Sequence, residues 1–222
     1  MYKNYDSVIL LCTMETKKLA GFLLINKPKD ISSFACIRTL QKLLGHKKGI
    51  GHTGTLDPFA TGLLIIAIDR SATKHIDKFL KLDKTYIAKG KLGELTDTLD
   101  YTGSKISVGD ASNITKHDIL DALQQLGKEY LQTPPMVAAL KHQGTPLYQL
   151  ARDQEMSHEE LTAITQQKQR MVLFHALELL DFNAPYFTLK AHVSHGTYIR
   201  SLLNDIAKLK NSHATTYELE RT

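Results

Sequence analysis

Apolar positions along the chain fall into short runs with two periods. Gly21–Asn26, GFLLIN, predicts a buried strand closed by Lys27-Pro28, since proline holds the preceding residue extended. In SFACIRTLQKLLG the residues Phe34, Ile37, Leu40, Leu43 and Leu44 recur at helical spacing. Ser32 or Ser33 can cap that helix and Gly45 ends it. Leu63–Ile68 predicts a fully buried strand, Ser71–Leu82 a short helix, and the alternating TYIAKGKL of Thr85–Leu92 another strand. Thr115 and Asp118 form a capping box ahead of a helix ILDALQQLGKEYL, which Thr133-Pro-Pro135 breaks.

Further along, Pro146–Asp153 and Ser157–Gln166 read as helical pieces. Met171–Phe182 and Phe187–Ser194 read as paired strands joined by the turn NAPY. Tyr198–Leu209 is an amphipathic helix, and TTYELERT a closing strand. Helices and strands mix without regular βαβ alternation. That pattern predicts an α+β fold with a mixed, mostly antiparallel central sheet flanked by helices.

Composition narrows the function classes. At 222 residues, with 42% hydrophobic and 23% charged residues, the chain can bury a real core. A net charge of +5 favours an anionic partner. The two cysteines, Cys12 and Cys36, make neither a disulfide framework nor the close pairs of a zinc site, which fits a reducing cytosol. The ten histidines show no HxH or HExxH spacing, so His46, His52, His192 and His195 read as surface or RNA-facing residues rather than metal ligands. No apolar run reaches the roughly 18–20 residues that span a bilayer, and Val8–Cys12 is too short. It also lacks the flanks of a secretory signal.

The candidate chemistry concentrates in Gly49–Gly62, GIGHTGTLDPFATG, which holds one carboxylate, Asp57. On its residues the loop is open to three readings: a phosphate cradle, a plain connector, or a nucleophile held by its own backbone. GIGHTG fits G-x-G-x-x-G, and Asp69 lies near the spacing of a ribose-binding acid. A dinucleotide site, however, needs a strand before the glycines and a helix opening from them, and here a helix precedes and Asp57-Pro58 follows. No Walker A lysine follows. A nucleophilic carboxylate must stay ionised and needs cations or hydrogen-bond donors nearby. The paired acids of an ordinary glycosidase are not evident.

GHTGTLDPFATGLL resembles the signature of the tRNA pseudouridine-55 synthase family of TruB type. NKPKDISSF at 26–34, DKTYIAKGKLGELTDTLDYTG at 83–103, TPPMVAALKHQGTPLYQLAR at 133–152 and SHGTYIRSLLNDIAKL at 194–209 resemble further family motifs, in the family's order. The resemblance implies a pseudouridine synthase fold. It implies isomerisation of uridine-55 in the T-loop of tRNA to pseudouridine, by breaking the N1–C1′ bond and forming C5–C1′, with no metal or organic cofactor. A base in a folded loop must be flipped out to react, at a cost of a few kcal/mol.

Carried over residue by residue, Asp57 would be the nucleophile, Arg200 its ionising partner, and Tyr86 the ring that stacks on the flipped base. Tyr198 and Leu219 would line the uridine pocket. His52 would help evict the target nucleotide, and Lys27 would support the active-site loop. Lys17, Lys18, Lys27, Lys29, Arg38, Lys42, Lys47 and Lys48 would offer phosphate contacts. The expected partner is the tRNA T-arm, without membrane or metal, for a monomeric cytoplasmic enzyme.

Residues 1–20 are expected to be an N-terminal extension, with Met14 as the working start, and 21–222 the catalytic domain. The family's C-terminal PUA-type RNA-binding domain is expected to be absent. Glu220-Arg221 stands where the family has an arginine pair, so one local contact there is in doubt. Two other classes remain as alternatives: a non-catalytic T-arm binder or RNA chaperone on the same fold, and a nucleotide-dependent oxidoreductase using GIGHTG.

Overall fold

The computed structural model describes residues 19–45, 49–153 and 155–222. The expectations placed on Val8–Cys12, Met14, Lys17, Lys18, His46, Lys47 and Lys48 lie outside the described residues. The chain divides into two compact units, residues 1–82 with 220–222, and residues 83–219. No helix among the described residues is long and apolar enough to cross a membrane.

The first unit holds β1 (Gly21–Lys27), α1 (Ser33–Leu44), β2 (Ile50–His52), β3 (Thr61–Ile68), α2 (Arg70–Thr73) and α3 (Ile76–Leu80). β1 runs antiparallel to β3 along its whole length, from Gly21 opposite Ile68 to Lys27 opposite Gly62. β2 pairs antiparallel with the far end of β3. The core joins Leu64, Ile66 and Ile68 of β3 to Cys36 and Leu40 of α1, with Leu23 and Ile25 packed against them.

Three expectations are corrected here. β1 is buried on one face only: Leu24 is 61% exposed, because β1 uses its alternate residues for the core. α1 does not bury the whole expected stripe either. Ser33, Cys36, Ile37 and Leu40 face inward, whereas Phe34 and Leu43 are exposed. The single helix expected over Ser71–Leu82 is two short ones, α2 and α3.

The second unit begins with β4 (Lys84–Leu92), β5 (Glu94–Thr96), β6 (Lys105–Val108) and α4 (Lys116–Leu126). It continues through β7 (Glu129–Gln132), β8 (Lys141–His142), β9 (Thr145–Pro146), α5 (Leu147–Arg152) and α6 (His158–Gln167). It ends with β10 (Arg170–Asn183), β11 (Tyr186–Val193), α7 (Ile199–Lys208) and β12 (Ala214–Arg221), whose last two residues belong to the first unit. β4, β11, β10 and β7 form an antiparallel sheet in that order. β11 buries Phe187, Leu189, Ala191 and Val193 from one face. Gly90 of β4 sits opposite Phe187, and a methyl there would strike its ring.

α7 buries Leu202, Leu203 and Ile206 completely, each contributing about 1.5–3 kcal/mol. In the first unit the pairing is mixed, since Glu220 and Arg221 run parallel to Thr61 and Gly62 of β3. The fold class is therefore α+β with mostly antiparallel strands, as the pattern predicted.

The capping box of Thr115 and Asp118 forms as expected. The helix after it stops earlier than expected. Gly127, at φ 68°, ends α4, and Glu129–Gln132 turns into strand β7 beside β10 rather than a last helical turn.

Candidate active site

Asp57 is half-buried, and the backbone on both sides of it is tied down. On its N-terminal side, the hydroxyl of buried Ser33 donates to the Leu56 carbonyl (3.1 Å) and accepts from the Leu56 N–H (2.9 Å). One side chain thus satisfies both polar groups of a buried residue, which would otherwise cost about 1–3 kcal/mol each. Ser32, not Ser33, caps α1. This division of labour frees Ser33 for the loop.

On the other side, the Pro58 carbonyl accepts from the Asp30 N–H (2.9 Å) and from the Lys27 ammonium (3.1 Å). Lys27 also donates to Pro28 O (2.9 Å) and Ile31 O (2.7 Å), so its three protons meet three carbonyls. It is fully buried. Burial pushes its ammonium below the usual lysine value, with Cys36, Asp57 and Asp30 pulling the other way. Leu56 and Phe59 plug the core on either side of Asp57-Pro58, and the Ala60 N–H closes a turn onto the Asp57 carbonyl (3.1 Å). A carboxylate is thereby presented from a loop whose neighbours are fixed.

The strand entering the loop carries His52, half-buried opposite Ile66. Burial, and then the charge of Arg221, push its imidazole below the ordinary histidine value. Among the described residues its buried Nδ1 has no hydrogen-bond partner. At the other end of the loop Gly62 has φ 100°, and an added methyl would run into the Arg221 backbone. Arg221 is itself buried and donates to Leu63 O (2.7 Å) and Gly54 O (3.2 Å).

The remaining expected site residues lie in the second unit. Tyr86 is half-buried on β4, opposite Ala191 of β11. Arg200 lies in the first turn of α7 and is 4% exposed, so it is buried rather than solvated on the helix face. Its guanidinium donates to the carbonyls of Thr98 and Val137 (the latter 2.9 Å) and stands 3.4 Å from the buried Asp100 carboxylate. Tyr198 precedes α7. Its N–H donates to Gln132 Oε1 (2.8 Å) and its carbonyl accepts from Gln132 Nε2 (3.1 Å). The Arg170 guanidinium covers its ring at 4.9 Å. Leu219 is buried on β12.

The structure thus gathers Lys27, His52 and Asp57 in the first unit and Tyr86, Tyr198, Arg200 and Leu219 in the second. Sequence reasoning missed Ser33 as a loop clamp, Asp30, Gln132, Arg170, Asp100 as the carboxylate beside Arg200, and the anchoring role of Arg221. The buried polar character of Gln132 and Ser33 leaves no local signal, because each acts on backbone far along the chain. No group of three or more His, Cys, Asp or Glu that could hold a metal ion occurs among the described residues.

Residues 41–199 match the model of the TruB family pseudouridylate synthase N-terminal domain. The chain is 42% identical over 206 residues to tRNA pseudouridine synthase B of Protochlamydia amoebophila, a match covering 92% of this chain and 74% of that one. It is 40% identical over 203 residues to the Clostridium tetani protein of the same name, covering 91% and 66%. For the Haemophilus influenzae protein of that name the figures are 39% over 202 residues, 91% and 61%. The chain thus spans 61–74% of the length of these relatives.

Among solved structures it resembles a chain of a Cbf5-Nop10-Gar1 complex, with TM-score 0.65, 25% identity, and 91% of this chain and 48% of that one covered. A chain of an H/ACA RNP bound to a substrate RNA containing 2′-deoxyuridine shares the fold, at TM-score 0.63, 23% identity, and 91% and 46% coverage.

Proposed function

We propose that this chain, which belongs to the TruB family of pseudouridylate synthases, isomerises uridine-55 in the T-loop of tRNA to pseudouridine, with Asp57 as the nucleophile. The observation that carries the proposal is the fixed backbone around Asp57. Two buried side chains, Ser33 and Lys27, clamp Leu56 and Pro58, and Asp57 between them is half-buried. A nucleophile held this way loses little freedom on reaching its transition state.

The reaction breaks the N1–C1′ bond, turns the base and joins C5 to C1′, with C5 giving up its proton and N1 taking one up. It is an isomerisation, so its balance needs no oxidant, reductant or second substrate. In this reading Arg200 supplies the cation that keeps Asp57 ionised, and its planar fork suits a carboxylate. Tyr86 stacks on the flipped base, a contact that contributes about 1–3 kcal/mol. Tyr198 and Leu219 line the uridine pocket, His52 takes part in displacing the target nucleotide, and Lys27 supports the loop. The T-arm is recognised by shape and by an unstacked loop rather than by duplex base edges. The enzyme acts as a cytoplasmic monomer.

The test is incubation of the chain with an unmodified tRNA transcript, without added cofactor, followed by mapping of pseudouridine. Product at the T-loop uridine with wild type and none with Asp57→Ala is the expected result. Tight tRNA binding without product would instead favour a non-catalytic T-arm binder on this fold. Binding of a nicotinamide cofactor without RNA activity would favour the oxidoreductase reading of GIGHTG.

A further inference from the structure

A second buried carboxylate, Glu94, lies outside the residues used so far. Its side chain is 3% exposed. One oxygen accepts from the Tyr217 hydroxyl (2.8 Å), and the other from the ammonium groups of Lys91 (3.1 Å) and Lys105 (3.0 Å). The three donors come from different strands, β4, β6 and β12, and Glu94 itself opens β5. Its backbone carbonyl is held as well, by the Thr215 hydroxyl of β12 (2.9 Å). Burial opposes its ionisation, yet hydrogen bonds from Lys105, Tyr217 and Lys91 outweigh that, and the carboxyl sits below its ordinary value.

The β5–β6 hairpin that Glu94 ties down carries the segment beside Arg200. The hairpin loop is closed by Asp97 N–H to Ser104 O (3.1 Å) and by Ser104 N–H to Asp97 Oδ1 (2.8 Å). It is stitched to β12 through Thr216 N–H to Leu99 O (2.9 Å) and Tyr101 N–H to Thr216 O (3.0 Å). The Thr96 hydroxyl donates to Asp100 O (2.7 Å), and the Asp100 side chain accepts from the Thr102 N–H (3.0 Å). Thr98 O and the Asp100 carboxylate, both in this loop, are two of the groups that meet the Arg200 guanidinium, beside Val137 O. An unbroken set of contacts therefore runs from Glu94 to Arg200 within one unit.

We infer that Glu94 is a positioning residue for Arg200: by neutralising Lys91 and Lys105 and holding Tyr217, it fixes the hairpin that sets where the guanidinium points. The inference rests on the role given to Arg200 above. Without the carboxylate charge, two ammonium groups converge on one place with nothing between them, and like charges there push β4 and β6 apart. The hairpin shifts, and Arg200 shifts with Thr98 and Asp100. Misplacement of a reacting group by about 1 Å can cost a hundredfold in rate.

The test uses the full chain with Glu94→Gln, which keeps the shape and removes the charge, and Glu94→Asp, which keeps the charge. Three quantities are read: the single-turnover rate on unmodified tRNA, the tRNA Kd, and hydrogen exchange at the Tyr101 and Thr216 amides. Glu94→Gln is expected to slow the single-turnover step by about tenfold to a hundredfold with Kd unchanged, and to speed exchange at both amides. Glu94→Asp recovers part of the rate. Should Glu94→Gln fail to fold, Lys105→Met decides. That side chain is 60% exposed, and its loss moves rate and exchange in the same direction by a smaller factor. A Glu94→Gln protein of lower stability but wild-type rate overturns the inference. If wild type itself makes no pseudouridine, the proposed function fails, and unchanged exchange in Glu94→Gln still overturns the tether on its own.

Discussion

Replacing Lys27 by methionine keeps the apolar stem and deletes the ammonium that meets Pro28 O, Ile31 O and Pro58 O. Hydrogen bonds to a charged group contribute about 1.5–3 kcal/mol each, so three give roughly 5–9 kcal/mol before costs. Against this stands the cost of burying an ammonium, several kcal/mol, which the lowered Lys27 pKa reflects. With that cost taken as about 3–6 kcal/mol, about 2–3 kcal/mol remains in favour of lysine. For a chain of this size that lowers Tm by roughly 4–12 °C. Calorimetry of wild type and Lys27→Met measures the shift directly. Pro58 O keeps its bond from Asp30 N–H, so the loop loosens rather than detaches. The rate of pseudouridine formation should fall about tenfold for a few tenths of an ångström of extra freedom at Asp57. A Lys27→Met protein within about 0.5 kcal/mol of wild type would refute the reasoning, because surface lysines behave that way and fully buried, triply bonded ones do not.

Other parts of the site give sharper single tests. Ser33→Ala strips the polar partner from both the Leu56 N–H and carbonyl and should cost about 2–6 kcal/mol in urea unfolding; no change would mean that Ser33 does not clamp the loop. Gly62→Ala should lower stability by more than about 1 kcal/mol and reduce soluble yield, since φ 100° and the Arg221 backbone both reject a methyl group. For His52, whose folded pKa lies below 6.5, the unfolded chain takes up the proton first as pH falls. Stability therefore drops from about pH 6.5 down through the lowered value, below which the loss is complete. His52→Gln should flatten that part of the stability–pH curve, and an unchanged slope would count against a histidine buried in its neutral form.

Much of the fold was readable because its periodicity is strong. The alternation of Phe187, Leu189, Ala191 and Val193, and the stripe of α7, needed no tertiary information. The failures have physical causes. The apolar spacing of α4 runs on past Gly127, but strand pairing of Leu131 with Met171 captures the segment instead. Phe34 and Leu43 fit a helical stripe, yet α1 meets β3 through Cys36 and Leu40, with Leu44 packed beside them, and leaves Phe34 and Leu43 exposed. At the site, Asp57 stood out through its loop, and Lys27 through its proline. Ser33 could not be told from Ser32, since each is a plausible cap until Leu56 is placed beside one of them. Arg221 and Gly54 are 167 residues apart, a contact that no local pattern announces. At the position of the family's arginine pair, Glu220 is exposed, while Arg221 is buried and holds Leu63 O and Gly54 O.

The central claim is that a carboxylate on a backbone-pinned loop attacks a tRNA uridine. It is tested most directly by Asp57→Asn, which preserves the size of the side chain and removes the charge. Pseudouridine is mapped in a T-loop transcript under single turnover at protein concentrations that saturate wild type. The account predicts unchanged Tm, unchanged tRNA binding and no detectable pseudouridine. Product formed by Asp57→Asn at a rate within tenfold of wild type would contradict it.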